Sequence, residues 1–219
     1  AKVSNAVIAT AITTLTGTAA QVGVALDAGV AGTITGLGNE LVTISDVTIS
    51  AAALNTLDGK TTGAIDAGTV EVISSSTAAD VATSVANIAQ TGLDGNWTAV
   101  LSDTSISAAT VKLINAGTSG QIDLRLATTI NGSIADILEI VNNTGALFVT
   151  AGAYASVLTD TAGSAANIKT INDDSSTGSI NMSLMTTITS STAAHVLEIV
   201  QNTNATFTTA SDYAVTLSG

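Results

Sequence analysis

Three pieces of one stretch decide the reading of the chain: Val42-Thr43-Ile44-Ser45-Asp46, Ser50-Ala51-Ala52-Ala53-Leu54-Asn55-Thr56-Leu57-Asp58-Gly59, and Ala64-Ile65-Asp66. The first alternates apolar and hydroxyl side chains, as a strand with one buried face does. The second opens with Ser before a run of Ala, a helix N-cap whose hydroxyl takes a backbone N–H that the first turn leaves unpaired. Leu54 and Leu57 then share a face, and Asp58-Gly59 stops the helix. The third piece is again strand-like. Together they predict strand, short capped helix and strand within a coil of about 28 residues, a size typical of stacked repeats.

The cap pattern recurs. Ser or Thr, Ala or Ile, Ala, any residue, then Val, Leu or Ile begins at Thr18, Ser50, Thr77, Ser107, Ser133, Ser164 and Thr192, an evenly spaced series. Behind each cap, apolar residues fall at helical spacing: Val22 with Leu26, Val81 with Val85 and Ile88, Val111 with Ile114, Ile137 with Val141, Ile168 with Ile171, Val196 with Val200. Ahead of each cap lies a Thr-rich, β-branched segment, at 13–16, 42–45, 70–73, 99–102, 128–131, 156–159 and 186–189, with an eighth at 215–218. Second strands are expected after the helices, as at 64–66, 121–123 and 179–181.

The step from the last apolar strand residue to the cap runs 3, 6, 4, 6, 3, 6 and 4, so coils come in two kinds. The larger repeat is therefore a pair of coils, about 57 residues in all. Ser50, Ser107 and Ser164 keep that spacing, as do Asp46, Asp103 and Asp160. Phe148 and Tyr154 return as Phe207 and Tyr213 at nearly the same step. One such coil cannot bury its apolar face alone, whereas stacked coils can. The expected fold is a β-rich α/β solenoid spanning residues 1–219 as a single array, with repeat units near 1–48, 49–105, 106–162 and 163–219.

Charge narrows the partners. Five Lys and Arg stand against seventeen Asp and Glu, for a net charge of −12. Such a surface repels phosphate backbones and anionic membranes, so neither nucleic acid nor membrane insertion is expected. There is no Cys and no Pro, and stability must come from packing. The stretch from Val3 to Leu26 is broken throughout by Thr, Ser and Gly, which does not read as a span. Ile8 aligns with Ile65 at a step of 57, and Leu217-Ser218-Gly219 lies inside a strand-to-cap connection. Neither end carries an atypical capping coil, so the expectation is end-to-end self-association into a homopolymer or continuation within a longer chain.

The segment Leu54-Asn55-Thr56-Leu57-Asp58-Gly59-Lys60-Thr61-Thr62-Gly63-Ala64-Ile65-Asp66-Ala67 resembles the repeat unit of giant Ser/Thr-rich surface proteins of cyanobacteria. So do Thr77-Ala78-Ala79-Asp80-Val81, and Gly36-Leu37-Gly38-Asn39-Glu40 with the strand that follows it. The likeness is close over roughly residues 12 to 110 and then fades as the Leu-Asp-Gly wording is lost. The resemblance implies a secreted or cell-surface polymer: a filament, sheath or surface layer, or alternatively the stalk or binding region of a large secreted adhesin. It carries over no chemistry.

Candidate sites are few. Asp46, Asp103 and Asp160 form a ladder of candidate calcium ligands. Equivalent residues two coils apart, roughly 10 Å by strand spacing, cannot share one ion that needs six to eight oxygens, and turn-capping explains the ladder equally well. His195 has neither a Cys nor a second His with which to build a zinc site. Lys2, Lys60, Lys112, Arg125 and Lys169 are too scattered for an anionic-polysaccharide cleft. No catalytic, cofactor or metal residue is assigned, and no enzyme is expected. Asn-x-Ser/Thr triplets occur at Asn96, Asn131, Asn142, Asn181 and Asn204 in a chain rich in both residue types.

Overall fold

The computed structural model describes residues 6–175, 178–201, 207–210 and 212–218. It is an α/β protein of parallel sheets with, among the described residues, eight helices. The chain divides into two compact units, Ala1–Val100 with Gly117–Gly120, and Leu101–Ala116 with Gln121–Gly219.

The first unit runs β1 (Val7–Ile8), β2 (Thr14–Gly17), α1 (Ala19–Val30), β3 (Ile34–Thr35), β4 (Leu41–Ile44), β5 (Thr48–Ile49), α2 (Ala51–Asp58), β6 (Ile65–Asp66), β7 (Val72–Ser76), α3 (Ala78–Ala86), α4 (Ile88–Thr91) and β8 (Thr98–Leu101). β8 crosses the unit boundary at its last residue. β1 pairs with β3, β2 with β4, β4 with β6, and β5 with β7, all parallel. Inward positions on β4, Val42 and Ile44, are fully buried.

The second unit runs β9 (Ser105–Ser107), α5 (Ala108–Asn115), β10 (Ile122–Leu124), β11 (Thr129–Gly132), α6 (Ile134–Asn142), β12 (Phe148–Thr150), β13 (Ala155–Leu158) and β14 (Ala162–Ser164). It continues through α7 (Ala165–Asp174), β15 (Ile180–Met182), β16 (Thr187–Ser191), α8 (Ala193–Gln201), β17 (Phe207–Thr209) and β18 (Ala214–Leu217). A five-stranded sheet, β9-β11-β13-β15-β17, carries one column of partners: Ile106, Ile130, Ser156, Ile180 and Phe207. The first four are 1–2% exposed, so each added strand places one more buried side chain in the same row. β14-β16-β18 and β10-β12 are the unit's other parallel sets.

All seven expected caps form. The hydroxyls of Thr18, Ser50, Thr77, Ser107, Ser133 and Ser164 accept the backbone N–H three residues on, as Thr192 does from His195 at 3.3 Å. The apolar stripe follows i, i+3 more than i, i+4. Ser84 is buried where Val85 was expected, and Ile140 and Ile199 are buried behind Ile137 and Val196. Ile88 does not extend α3; the helix breaks at Asn87, and α4 ends at Gly92 in the left-handed region, φ +62°. A side chain at 92 would also collide with the Ile65 carbonyl, so glycine is required there.

The expected strands lie within three residues of their places, and the two kinds of connection have a structural cause. The long kind holds an extra short strand before the cap: β5, β9 and β14. The alignment of the first strand shifts by one residue. Ile12 donates to the Ala9 carbonyl as Val70 donates to Ala67, so Val7, not Ile8, is the equivalent of Ile65. Accordingly Ala9 is buried while Ile8 is 76% exposed.

Candidate functional site

Two members of the Asp ladder, Asp46 and Asp160, tie successive segments together. Asp46 Oδ2 accepts the N–H of Ala19, the first residue of α1, at 2.7 Å, and Asp160 Oδ2 accepts that of Ile134, the first residue of α6, at 2.6 Å. Each helix therefore has a second cap, supplied from 26 or 27 residues later in the chain. A carboxylate at a helix N-terminus meets both an unpaired donor and the positive end of the helix dipole. Ser76 and Ser191 do the same for Ala51 of α2 and Ala165 of α7, at 2.8 and 2.7 Å. Among the described residues no group of three His, Cys, Asp or Glu side chains gathers as a metal site would require.

A second tie joins helix to helix from one recurring position. Asn55 donates to the Asp80 carbonyl at 2.9 Å and accepts from Ser84 at 2.7 Å, bridging α2 to α3. At the next recurrence of that position, Lys112 reaches Asp136 and Glu139 of α6 at 3.2 and 3.3 Å. At the one after it, Lys169 reaches Glu198 of α8 at 3.0 Å as well as its own Asp173. Hydrogen bonds to the two acids raise the Lys112 ammonium above the usual lysine range, and the Ser133 hydroxyl followed by Lys112 holds the Asp136 carboxyl below its own. The scattered cations of the sequence thus mostly stand beside acids, with Lys60 on Asp27 and Arg125 on Asp123. Lys2 lies outside the described residues.

A third ladder runs from side chain to backbone. Thr61, Thr118 and Ser175 are buried, and their hydroxyls donate to the carbonyls of Gly38, Trp97 and Tyr154. Close by, Cβ atoms at Gly63, Gly120 and Gly178 would collide with the carbonyl oxygens of Glu40, Trp97 and Tyr154. The regular recurrence of these positions is in plain view in the sequence, but what makes them glycine is a carbonyl from an earlier segment. Beside them, side-chain oxygens of Asp58, Asn115 and Asn172 are buried without a protein partner, as are Trp97 Nε1 and Ser156 Oγ.

Two surfaces stand out from this self-satisfied pattern. In the second unit, α8 and β18 expose a continuous apolar face: Leu197 is 52% exposed, Val200 63%, Val215 39% and Leu217 57%. At the equivalent places Leu138 and Val141 of α6 are half-buried, and Leu158 of β13, the equivalent of Leu217, is 1% exposed. In the first unit, Val7 is 53% exposed on β1. Among the described residues β1 has a strand neighbour only in β3, and β18 only in β16. The triplet asparagines form no such surface: Asn96 and Asn142 are exposed, Asn131 and Asn181 half-buried, and Asn204 lies outside the described residues. His195 sits half-buried in the first turn of α8.

The chain is thus defined as an α/β protein of parallel sheets in which α1, α2, α6 and α7 are each capped by a side chain from later in the sequence. Comparison with protein-family models, curated proteins and solved structures finds no match. Among the described residues no helix is long and apolar enough to cross a membrane.

Proposed function

We propose that this chain is a tandem-repeat solenoid and serves as an extracellular structural protein, forming a filament, sheath or surface layer by stacking of repeats. The observation that carries the reading is the row Ile106, Ile130, Ser156, Ile180 and Phe207, in which parallel strands add one after another at near-constant steps along the chain. Regular addition of this kind is how a repeat array buries a core that no single repeat could. Ties in which α1, α2, α6 and α7 are capped from the following segment support it further, because they are satisfied only between neighbours.

Exposed apolar surface on α8 and β18, together with two strand edges, supports self-association. The extracellular placement rests on the resemblance to cyanobacterial surface proteins. No catalysis belongs to the proposal, and calcium has no assigned role in it. The test is negative-stain electron microscopy of the purified chain across a concentration series, with light scattering alongside. Fibres or sheets that lengthen with concentration are expected. Separate particles of one size at every concentration would refute the assembly reading, and resistance of the chain to protease on intact cells would refute the placement.

A further inference from the structure

The strands at the two exposed edges correspond to the two halves of one sheet. In the second unit the complete five-stranded sheet begins with β9, β11 and β13 and ends with β15 and β17. β14, β16 and β18 match its first three strands. Ser218 donates to Ser191 as Thr159 donates to Gly132, which makes Val215 the equivalent of Ser156 and Leu217 that of Leu158. β1 and β3 match its last two. Val7 pairs with Ile34 as Ile180 pairs with Phe207, and Ile12 donates to Ala9 as Met185 donates to Met182.

We infer that β18 of one chain pairs in parallel with β1 of a second copy, completing a five-stranded sheet across the joint. The register follows from two internal examples. Ser156 faces Ile180 and Val157 faces Asn181; Val42 faces Ile65 and Thr43 faces Asp66. Val215 therefore faces Val7 of the second copy, and Thr216 faces its Ile8. Ser156 N–H donates to the Ser179 carbonyl at 2.8 Å and Val42 N–H to Ala64 at 2.9 Å, so Val215 N–H donates to the Ala6 carbonyl across the joint. Val7, Val215 and Leu217 turn inward at these positions and lose their exposure. Ile8 and Thr216 stay outside. The second copy is the occupant because its edge repeats the strand that covers β13 within the chain. The joint leaves Leu197 and Val200 of α8 uncovered, whereas Leu138 and Val141 at the equivalent places of α6 are half-buried where α7 packs on that helix, and it is accordingly weaker than the internal contacts.

This inference rests on the assembly reading but is narrower than it, and a crosslinking experiment separates the two. The parent has no Cys, so single-cysteine chains are clean probes. Ile8→Cys and Thr216→Cys chains, one of them carrying a mass tag, are mixed and oxidised. Facing residues on adjacent strands lie about 4.8 Å apart, within disulfide reach. The expected product is the mixed dimer in large excess over either homodimer, and its loss when Thr35→Cys, one strand further in, replaces Ile8→Cys. Circular dichroism identical to the parent confirms that these exposed substitutions fold. Val215→Pro, which removes the outward donor but leaves the bonds of Ala214 and Ser218 to β16, abolishes the mixed dimer. Random pairing, or an equal yield with Thr35→Cys, overturns the inference. Fibres without the mixed dimer overturn this joint and leave assembly standing; the mixed dimer without fibres upholds the joint and overturns the filament; neither product overturns both.

Discussion

Replacing Asp160 by Ala tests whether a helix is held by a residue from the next segment. Its carboxylate accepts the Ile134 N–H at 2.6 Å and stands half-buried at the start of α6. Hydrogen bonds to a charged group contribute roughly 1.5–3 kcal/mol, and loss of an Asp cap typically costs about 1 kcal/mol. Water can partly replace the acceptor at a half-buried site, which places the loss for Asp160→Ala at about 2 kcal/mol. Asp160→Asn keeps an acceptor and should lose about half as much. For comparison, Asp173→Ala breaks an exposed pair with Lys169 and should cost under about 0.5 kcal/mol. Urea melts followed by circular dichroism give the totals, and amide hydrogen exchange gives the location. Exchange should accelerate in α6, at Ile134 first, rather than in α7, the next helix after Asp160 in the sequence. An Asp160→Ala melt matching the parent, or faster exchange confined to α7, would refute the tie between segments.

Three other substitutions probe the interior. Ser156→Ala removes a buried hydroxyl without a partner from an apolar row and should raise stability by about 1 kcal/mol in the same melts; Val42 and Val215 already fill the equivalent places. Tyr154 is buried and its hydroxyl donates to Asp174 Oδ2 at 2.6 Å; burial first, and then the carboxylate, push its pKa above the usual 10. The stability this tyrosine contributes is therefore complete below about pH 10 and declines as pH rises beyond it. Tyr154→Phe should be less stable at pH 7, with the gap closing in melts above pH 10; a constant gap would contradict the assignment. Gly120→Ala drives a methyl group into the Trp97 carbonyl and should cost about 3 kcal/mol, whereas Gly95→Ala, with open space around it, should cost little.

Strand and cap positions were legible in the sequence because both signals are local. A hydroxyl before Ala-Ala needs only the next three residues to become a cap, and alternation needs only the strand itself. The helix faces were less so. Val85 is the more apolar choice, yet Ser84 takes the buried place because Asn55 waits there with a hydrogen bond. Short strands such as β5 carry two residues and no alternation to read. The Asp ladder was visible as spacing, but its role depends on an N–H 26 or 27 residues earlier in the chain. Gly63, Gly120 and Gly178 show the same limit, since glycine in a turn looks alike whether or not a carbonyl presses on it.

The serines that cap α2 and α7 point to a repeat twice as long as the spacing of Ser50, Ser107 and Ser164. Ser76 and Ser191 stand one such doubled step apart, and so do Gly17 and Gly132, which hold the matching position in the alternate segments. Each serine comes with one extra strand residue. β7 has five residues against four in β2, with Ser75 at φ +32°, and the β16 register shifts between Ile188 and Ser191. β11 has four residues and pairs regularly through Gly132 with Leu158. The irregularity and the hydroxyl belong together: without the extra residue, a Cβ at 132 would press to 3.0 Å on the Ala108 Cβ instead of presenting an oxygen to the helix. Gly132→Ser alone should therefore fail to protect the Ala108 amide from exchange and should destabilise the second unit. Replacing Thr129–Gly132 by the five residues of Val72–Ser76 should protect that amide. Equal protection from the single substitution would show that the extra residue has no part in placing the cap.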